Sequence, residues 1–256
     1  MNVMKTVFDK VYVITLITNK ERQEFMSRQL KMLGLNFEFI YGCDYYNFKH
    51  VTFPDVYKYT KDAFLGGSPK SFGCAIGHYQ AILQSYHFGY KNVLIIEDDV
   101  CFNKDISMIA DMFSNVPDDA DLLDFDPRCW TKENQDKMVK LINESDSNYV
   151  KIGNDIKTCG TALYAIMNRD CMELYLDNQR NYLVQSDWVK GFWEEPIINR
   201  YIPTKCVYID QLNYQKFLIW KENNPVYYVD SLYLRDGKYT ERNFFKPNVF
   251  HTCSRD

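Results

Sequence analysis

Asn92-Val93-Leu94-Ile95-Ile96-Glu97-Asp98-Asp99-Val100 is an apolar run that ends on three consecutive carboxylates. Four branched aliphatics in a row suit a strand covered on both faces, as strands of parallel sheets are. Such a strand releases its polar residues at its carboxyl end, where open α/β sheets place their ligands. Three acids packed there repel one another, and a divalent cation holding a diphosphate relieves that repulsion. A solvated acidic turn is the plainer reading of an acidic triplet, but its place after a buried strand favours a site. The stretch therefore predicts an α/β fold with its chemistry at residues 97–99.

The segments on either side agree. Val11–Ile17 is a β-rich apolar run, followed by Thr18-Asn19 as helix cap and a helix carrying Phe25, Met26, Gln29-Leu30 and Leu33. Gly34 stands where a glycine ends a helix, and Asn36–Tyr41 returns to strand, completing a β-α-β unit. Cys43–Lys70 is aromatic and irregular, with Gly66-Gly67-Ser68-Pro69 as a loop signal. Ala75, Ile76, Tyr79, Ile82, Leu83 and Tyr86 then fall on one helical face, closed by Gly89. Beyond the acids, Ile106–Phe113 reads as a short helix, Asp121–Phe125 as a strand and Lys132–Ile142 as a polar surface helix. Tyr149–Ile152 and Thr161–Met167 read as strands on either side of a turn at Gly153-Asn154. A helix at Arg169–Asp177, an aromatic stretch Ser186–Trp193 and short strands near Cys206–Ile209 and Val226–Val229 complete a less regular second half. The pattern suits a nucleotide-binding half followed by an acceptor-binding half within one domain.

A chain of 256 residues with 46% hydrophobic and 25% charged residues has the composition of an ordinary globular protein. Its net charge of −4 argues against a sequence-independent grip on nucleic acid. The eight cysteines form no C-x-x-C pair, so free thiols are expected rather than a zinc ribbon or a disulfide framework. Residues 1–9 lack the apolar core of a signal peptide, and no apolar run is long enough to span a bilayer. A cytoplasmic protein, acting in solution or peripherally at a membrane surface, is the expectation. The aromatic stretches are compatible with a homodimer.

Glu97 and Asp99 have the D-x-D spacing that holds Mn²⁺ or Mg²⁺ against a nucleotide diphosphate: a hard cation takes oxygen ligands and neutralises charge on the leaving group. Asp124-Phe125-Asp126 is a rival D-x-D, but it lies in an acidic run with Asp118, Asp119 and Asp121 that reads as a polar face. Phosphatases with an Asp nucleophile on a D-x-D strand are the competing enzyme class. They place that motif near the chain start, whereas here a β-α-β unit precedes it. Ser71-Phe72-Gly73-Cys74-Ala75-Ile76-Gly77-His78 opens a helix, and its glycines would let backbone approach a phosphate at the helix amino terminus. His78 is a candidate phosphate contact, with a hydrogen-bonded core histidine as the ordinary alternative.

Taken together, Val11–Leu16 with Glu21-Arg22, Gln29-Leu30, Gly34-Leu35 and Phe37-Glu38-Phe39 resembles the opening of glycosyltransferase family 25. Ser71–His78 resembles that family's Gly-Cys-x-x-Ser-His segment, and Gly89–Val100 its Glu-Asp-Asp strand. The likeness continues more loosely through Gly160–Tyr164 and Ser186-Asp187-Trp188. Thr15 stands where the family commonly has Asn, and Gly77 where it commonly has Ser.

The resemblance implies a single domain over 1–256 with the GT-A fold, a Rossmann-like sheet with helices on both faces. Its donor-binding half would span about 1–125, and a less regular acceptor-binding half about 126–256. It implies an inverting transfer of a hexose, galactose most often, from a UDP-sugar to a saccharide, glycolipid or glycoprotein, with Mn²⁺ or Mg²⁺ as cofactor. The metal ligands would be Asp99 and Glu97, with His251 closing as a third. Thr15, Leu16, Arg22, Asp44, His78 and Asp98 would contact the nucleotide sugar. Inversion needs a base on the acceptor hydroxyl, for which Asp187 is the first candidate and Glu194 and Glu195 the next. Trp188 and Trp193 would offer a platform for acceptor sugar. A catalytically degenerate sugar-nucleotide-binding protein is the non-enzymatic alternative.

Overall fold

A computed structural model describes residues 4, 6–42, 69–103, 105–129, 132–156, 158–182 and 198–211. Asp44, Asp187, Trp188, Trp193, Glu194, Glu195 and His251, and the strand expected at 226–229, lie outside the described residues.

The apolar runs become the middle of a seven-stranded mixed sheet. The strands are β1 (Lys10–Thr15), β2 (Glu38–Tyr41), β3 (Val93–Glu97), β5 (Leu122–Asp124), β7 (Tyr149–Ile152), β9 (Leu163–Ile166) and β10 (Arg200–Pro203). Their order is β2-β1-β3-β9-β5-β10-β7. β1 runs parallel to both β2 and β3, with Val13 beside Phe39 and Ile96. β9 is antiparallel to β3 and to β5, placing Tyr164 beside Ile95 on one side and Asp124 on the other. β10 is parallel to β5, and β7 closes the far edge antiparallel to it. Two short ribbons complete the strands: β4 (Val100–Phe102) with β11 (Tyr208–Gln211), and β6 (Arg128–Cys129) with β8 (Thr158–Cys159).

Alternation along the strands fills two layers. On one face Val11, Val13, Leu94, Ile96, Leu163 and Ala165 pack against α1 (Lys20–Met32) and α3 (Ile106–Ser114) through Phe25, Met26, Leu30, Ile109, Met112 and Phe113. On the other, Tyr12, Ile14, Val93, Ile95, Tyr164 and Ile166 pack against α2 (Pro69–Phe88) and α5 (Arg169–Tyr182). A third cluster joins α4 (Lys132–Asn143) to β7 and β10 through Met138, Ile142, Val150, Ile152 and Ile202. The α/β class with helices on both faces, expected from the sequence, is the one observed. Tyr149–Ile152 and Thr161–Met167 do not pair across their turn: β7 is an edge strand and β9 is central.

Gly34 and Gly89 adopt φ of 66° and 78° and end α1 and α2, as their positions in the sequence suggest. Asn19 precedes α1, but its side chain makes no capping hydrogen bond; it turns instead toward Asp98, as described below. The helix expected to open near Ser71 begins at Pro69, so Gly73 and Gly77 lie inside it and not in a phosphate-cradling loop. The role of Gly77 is close packing. A Cβ on Gly77 would stand 2.6 Å from Ile14 Cγ2, and one on Gly42 would stand 3.2 Å from the Gly73 carbonyl oxygen. Small residues let α2 lie almost directly on β1. Among the described residues no helix is long and apolar enough to cross a membrane, and Cys74, Cys101, Cys171 and Cys206 are thiols rather than halves of disulfides.

Candidate active site

β3 and β5 point the same way, because β9 is antiparallel to both. Their carboxyl ends therefore emerge at one sheet edge, together with Thr15 at the end of β1 and Thr161-Ala162 just before β9. The two D-x-D candidates share this edge.

Successive residues of the acidic triplet turn to different sides. Asp98 faces α1 and is buried. Its Oδ2 accepts from Thr15 Oγ1 at 2.6 Å and from Asn19 Nδ2 at 3.4 Å, and its Oδ1 accepts from Arg22 Nη1 at 2.8 Å. The same Arg22 nitrogen reaches Asp99 Oδ2 at 3.4 Å. Burial alone lowers the Arg22 pKa, but Asp99 and then Asp98 outweigh it, and the guanidinium is held above its ordinary value. Asp99, with a side chain 19% exposed, occupies the turn between β3 and β4.

That turn is gripped from below. Gln29 of α1 is buried; its Nε2 donates to the Val100 carbonyl at 2.9 Å and its Oε1 accepts from the Phe102 amide at 3.0 Å. A helix side chain thus adds to the pairing of β4 with β11 and holds the turn from which Asp99 projects.

Glu97 faces α2. Its Oε1 accepts from Thr161 Oγ1 at 2.8 Å and from Cys74 Sγ at 3.9 Å, and lies 3.3 Å from His78 Nε2. His78 is fully buried, and its Nδ1 sits 3.0 Å from the Tyr164 hydroxyl. Burial, with the neighbouring Tyr175, Cys74 and Glu97 adding to it, pushes the Tyr164 pKa well above its ordinary 10.0, so the hydroxyl keeps its proton. His78 is accordingly the hydrogen-bonded core histidine. Buried with both ring nitrogens engaged, it does not present itself to a phosphate.

Asp124 and Asp126, expected on a polar face, are instead buried. Asp124 Oδ2 accepts from Thr158 Oγ1 at 2.8 Å, and its Oδ1 from the Asp126 amide at 3.1 Å. Asp126 Oδ2 accepts from the Ala162 amide at 3.1 Å. Buried carboxylates survive only with donors around them, and these two tie β5 to β8 and to the start of β9. Only the outer part of that acidic run matches the expectation: Asp119 is exposed and pairs with Lys151 and Tyr201.

The structure therefore brings Thr15, Arg22, Asp98 and Asp99 together as one group and Glu97 with His78 as another. The Leu16 carbonyl accepts from Gln23 Nε2 at 2.8 Å, holding the β1–α1 loop beside the first group. Asn19, Gln29, Cys74, Thr161 and Tyr164 were not singled out as site residues by the sequence. Gln29, Cys74, Thr161 and Tyr164 fall inside the segments that carry the family resemblance, which is the signal that could have found them.

The candidate site is an edge of clustered carboxylates with an arginine among them, and neither Asp98 nor Asp124 is exposed as the nucleophile of a phosphatase would be. The chain belongs to glycosyltransferase family 25, whose model, described as "Glycosyltransferase family 25 (LPS biosynthesis protein)", matches residues 8–188. No curated protein matches the chain. Among solved structures, mouse xyloside xylosyltransferase 1 in its apo form is similar over 86% of this chain and 84% of its own, at 10% identity and a TM-score of 0.29. A likeness of that size carries no structural argument.

Proposed function

We propose that this glycosyltransferase moves a hexose, galactose in the first instance, from a UDP-sugar to a saccharide, glycolipid or glycoprotein, with inversion and with Mn²⁺ or Mg²⁺. The observation that supports the reading is the Asp99 carboxylate, on the turn after β3 with the Arg22 guanidinium beside it. The donor set fits a hard cation in part. Asp99 is at the edge, whereas both Asp98 oxygens already accept hydrogen bonds and Glu97 Oε1 accepts from Thr161. Of the alternate acids we therefore retain Asp99 as the ligand and keep His251 as its expected companion. A cation bound there supplies charge neutralisation for the leaving diphosphate.

The chain's own residues do the rest. Arg22, about a quarter exposed, keeps a fixed positive charge facing the diphosphate. Asp98, clamped by Thr15, Asn19 and Arg22, orients that guanidinium instead of touching the nucleotide. Thr15 is spent on the same task, which is what its hydroxyl does where the family commonly carries Asn. Asp187 takes the proton from the acceptor hydroxyl, with Glu194 or Glu195 as substitutes. Asp44 faces the uridine. The family's description points to a lipopolysaccharide-type glycan as acceptor, handled in the cytoplasm or at a membrane surface.

UDP release from a panel of UDP-sugars, with and without Mn²⁺, tests this. Metal-dependent release from UDP-galactose is expected. Should neither UDP-galactose nor UDP-glucose bind or turn over, the reading fails and a degenerate binding protein replaces it.

A further inference from the structure

The Glu97 side of the edge is a different kind of site. Cys74 and His78 are four residues apart on α2 and so project from one helical face. The close approach of α2 to Ile14 that Gly77 permits brings that face beside the end of β3. Cys74 Sγ, a ring nitrogen of His78 and a Glu97 oxygen all lie within 4.8 Å of one another.

The spacing is one that a shared metal could use. Bond lengths of about 2.3 Å to sulfur and about 2.1 Å to nitrogen and oxygen, at tetrahedral angles, separate S from O by about 3.6 Å and N from O by about 3.4 Å. The structure has 3.9 Å for Cys74 Sγ to Glu97 Oε1 and 3.3 Å for His78 Nε2 to the same oxygen. The surrounding hydrogen bonds are also those of a metal centre. In the tautomer whose Nδ1–H donates to the Tyr164 oxygen, Nε2 keeps its lone pair for a metal, and Thr161 Oγ1 donates to the carboxylate.

We propose that Cys74, His78 and Glu97 form a second cation site that takes Zn²⁺ or another thiophilic divalent ion. It is separate from the hard-cation position at Asp99. A thiolate and an imidazole select zinc over manganese by ligand softness and by the ordinary stability order of the divalent metals. On binding, the Cys74 S–H bond gives its proton to buffer as the metal–sulfur bond forms. The three protein ligands leave a fourth position for water. The site owes nothing to the nucleotide, so it stands or falls apart from the transferase reading.

Full-length protein stripped with chelator and titrated with Co²⁺, without nucleotide, tests the site. Visible bands of tetrahedral intensity and a near-ultraviolet thiolate-to-cobalt charge-transfer band are expected, both discharged by Zn²⁺ and untouched by excess Mn²⁺. Cys74→Ser abolishes the charge-transfer band. Tyr164→Phe, which preserves the packing of the ring, weakens Zn²⁺ binding by about 10–100-fold through the freed histidine nitrogen. Absence of the charge-transfer band in the parent protein overturns the proposal. So does its survival in folded Cys74→Ser, which would put the thiolate on another cysteine.

Discussion

Arg22 Nη1 stands 2.8 Å from Asp98 Oδ1 and 3.4 Å from Asp99 Oδ2, so one guanidinium serves two of three consecutive acids. Glu97 is relieved separately, by Thr161 and the α2 side chains. The repulsion implied by Glu97-Asp98-Asp99 is thus divided between two faces of the sheet.

Removing that cation leaves Asp98 buried with only Thr15 and Asn19 as donors. Arg22→Gln should lower stability by about 1.5–3 kcal/mol, the range for hydrogen bonds to charged groups. Arg22→Lys should recover part of it, since a point charge restores the sign but not the fork. Urea midpoints of the three proteins measure this. An unchanged midpoint in Arg22→Gln would mean that the pair carries no net stability.

Asp98 and Asp99 should separate by phenotype. Asp99→Ala is expected to abolish Mn²⁺-dependent UDP binding, with a melting temperature close to that of the parent. Asp98→Asn should lower the melting temperature through the Thr15 and Arg22 contacts. Calorimetric titration of UDP with Mn²⁺, alongside thermal melts, distinguishes them. UDP binding that survives Asp99→Ala would remove Asp99 as the ligand.

Gly77→Ser should destabilise by about 1–3 kcal/mol, the usual cost of overpacking, because the added Cβ meets Ile14 Cγ2. Ile14→Ala removes that atom. The double variant should therefore lose less than the sum of the single losses, a coupling measurable by a denaturation cycle. Additive losses would mean that the backbone of α2 shifts to absorb the serine.

Much of this architecture is legible in the chain. Val93–Ile96 and Val11–Ile14 announce buried strands, and Gly34 and Gly89 mark helix ends that the φ angles bear out. Gly77 shows where legibility stops. Beside a phosphate or beneath a helix it is the same letter, and only Ile14, remote in sequence, decides between them. The burial of Asp124 and Asp126 rests on Thr158 and Ala162 in the same way. β4, β6 and β8 are too short to show a period, and β4 is held both by β11 and by a helix side chain, Gln29, remote from it in sequence.

Asp187→Asn should leave UDP-sugar binding intact and remove turnover, since a base acts on the acceptor and not on the donor. Donor titration and a product assay on one preparation check both halves. Normal turnover would pass the role to Glu194 or Glu195.

One pH effect has a defined sign. Hydrogen bonds from Asn148 and then Asn115 hold the Asp111 carboxyl below its ordinary 3.8. A folded pKa below the unfolded one contributes stability that is present above the unfolded value and lost as pH falls through the folded one. Asp111→Asn should accordingly flatten the acid limb of the stability profile below about pH 4. Denaturant midpoints across that limb are the measurement, and an unchanged slope would discount the pair.

β9 gives the sheet its order in time as well as in space. β3 and β5 are not neighbours; the strand that lies between them and pairs with each, β9, leaves the ribosome after both. Until residues 161–166 are synthesised, Glu97 lacks its threonine and Asp126 its amide. The nascent chain therefore carries its acidic edge open and unfinished, and a fragment ending before β9 would hold the carboxylates without the strand that sets their spacing.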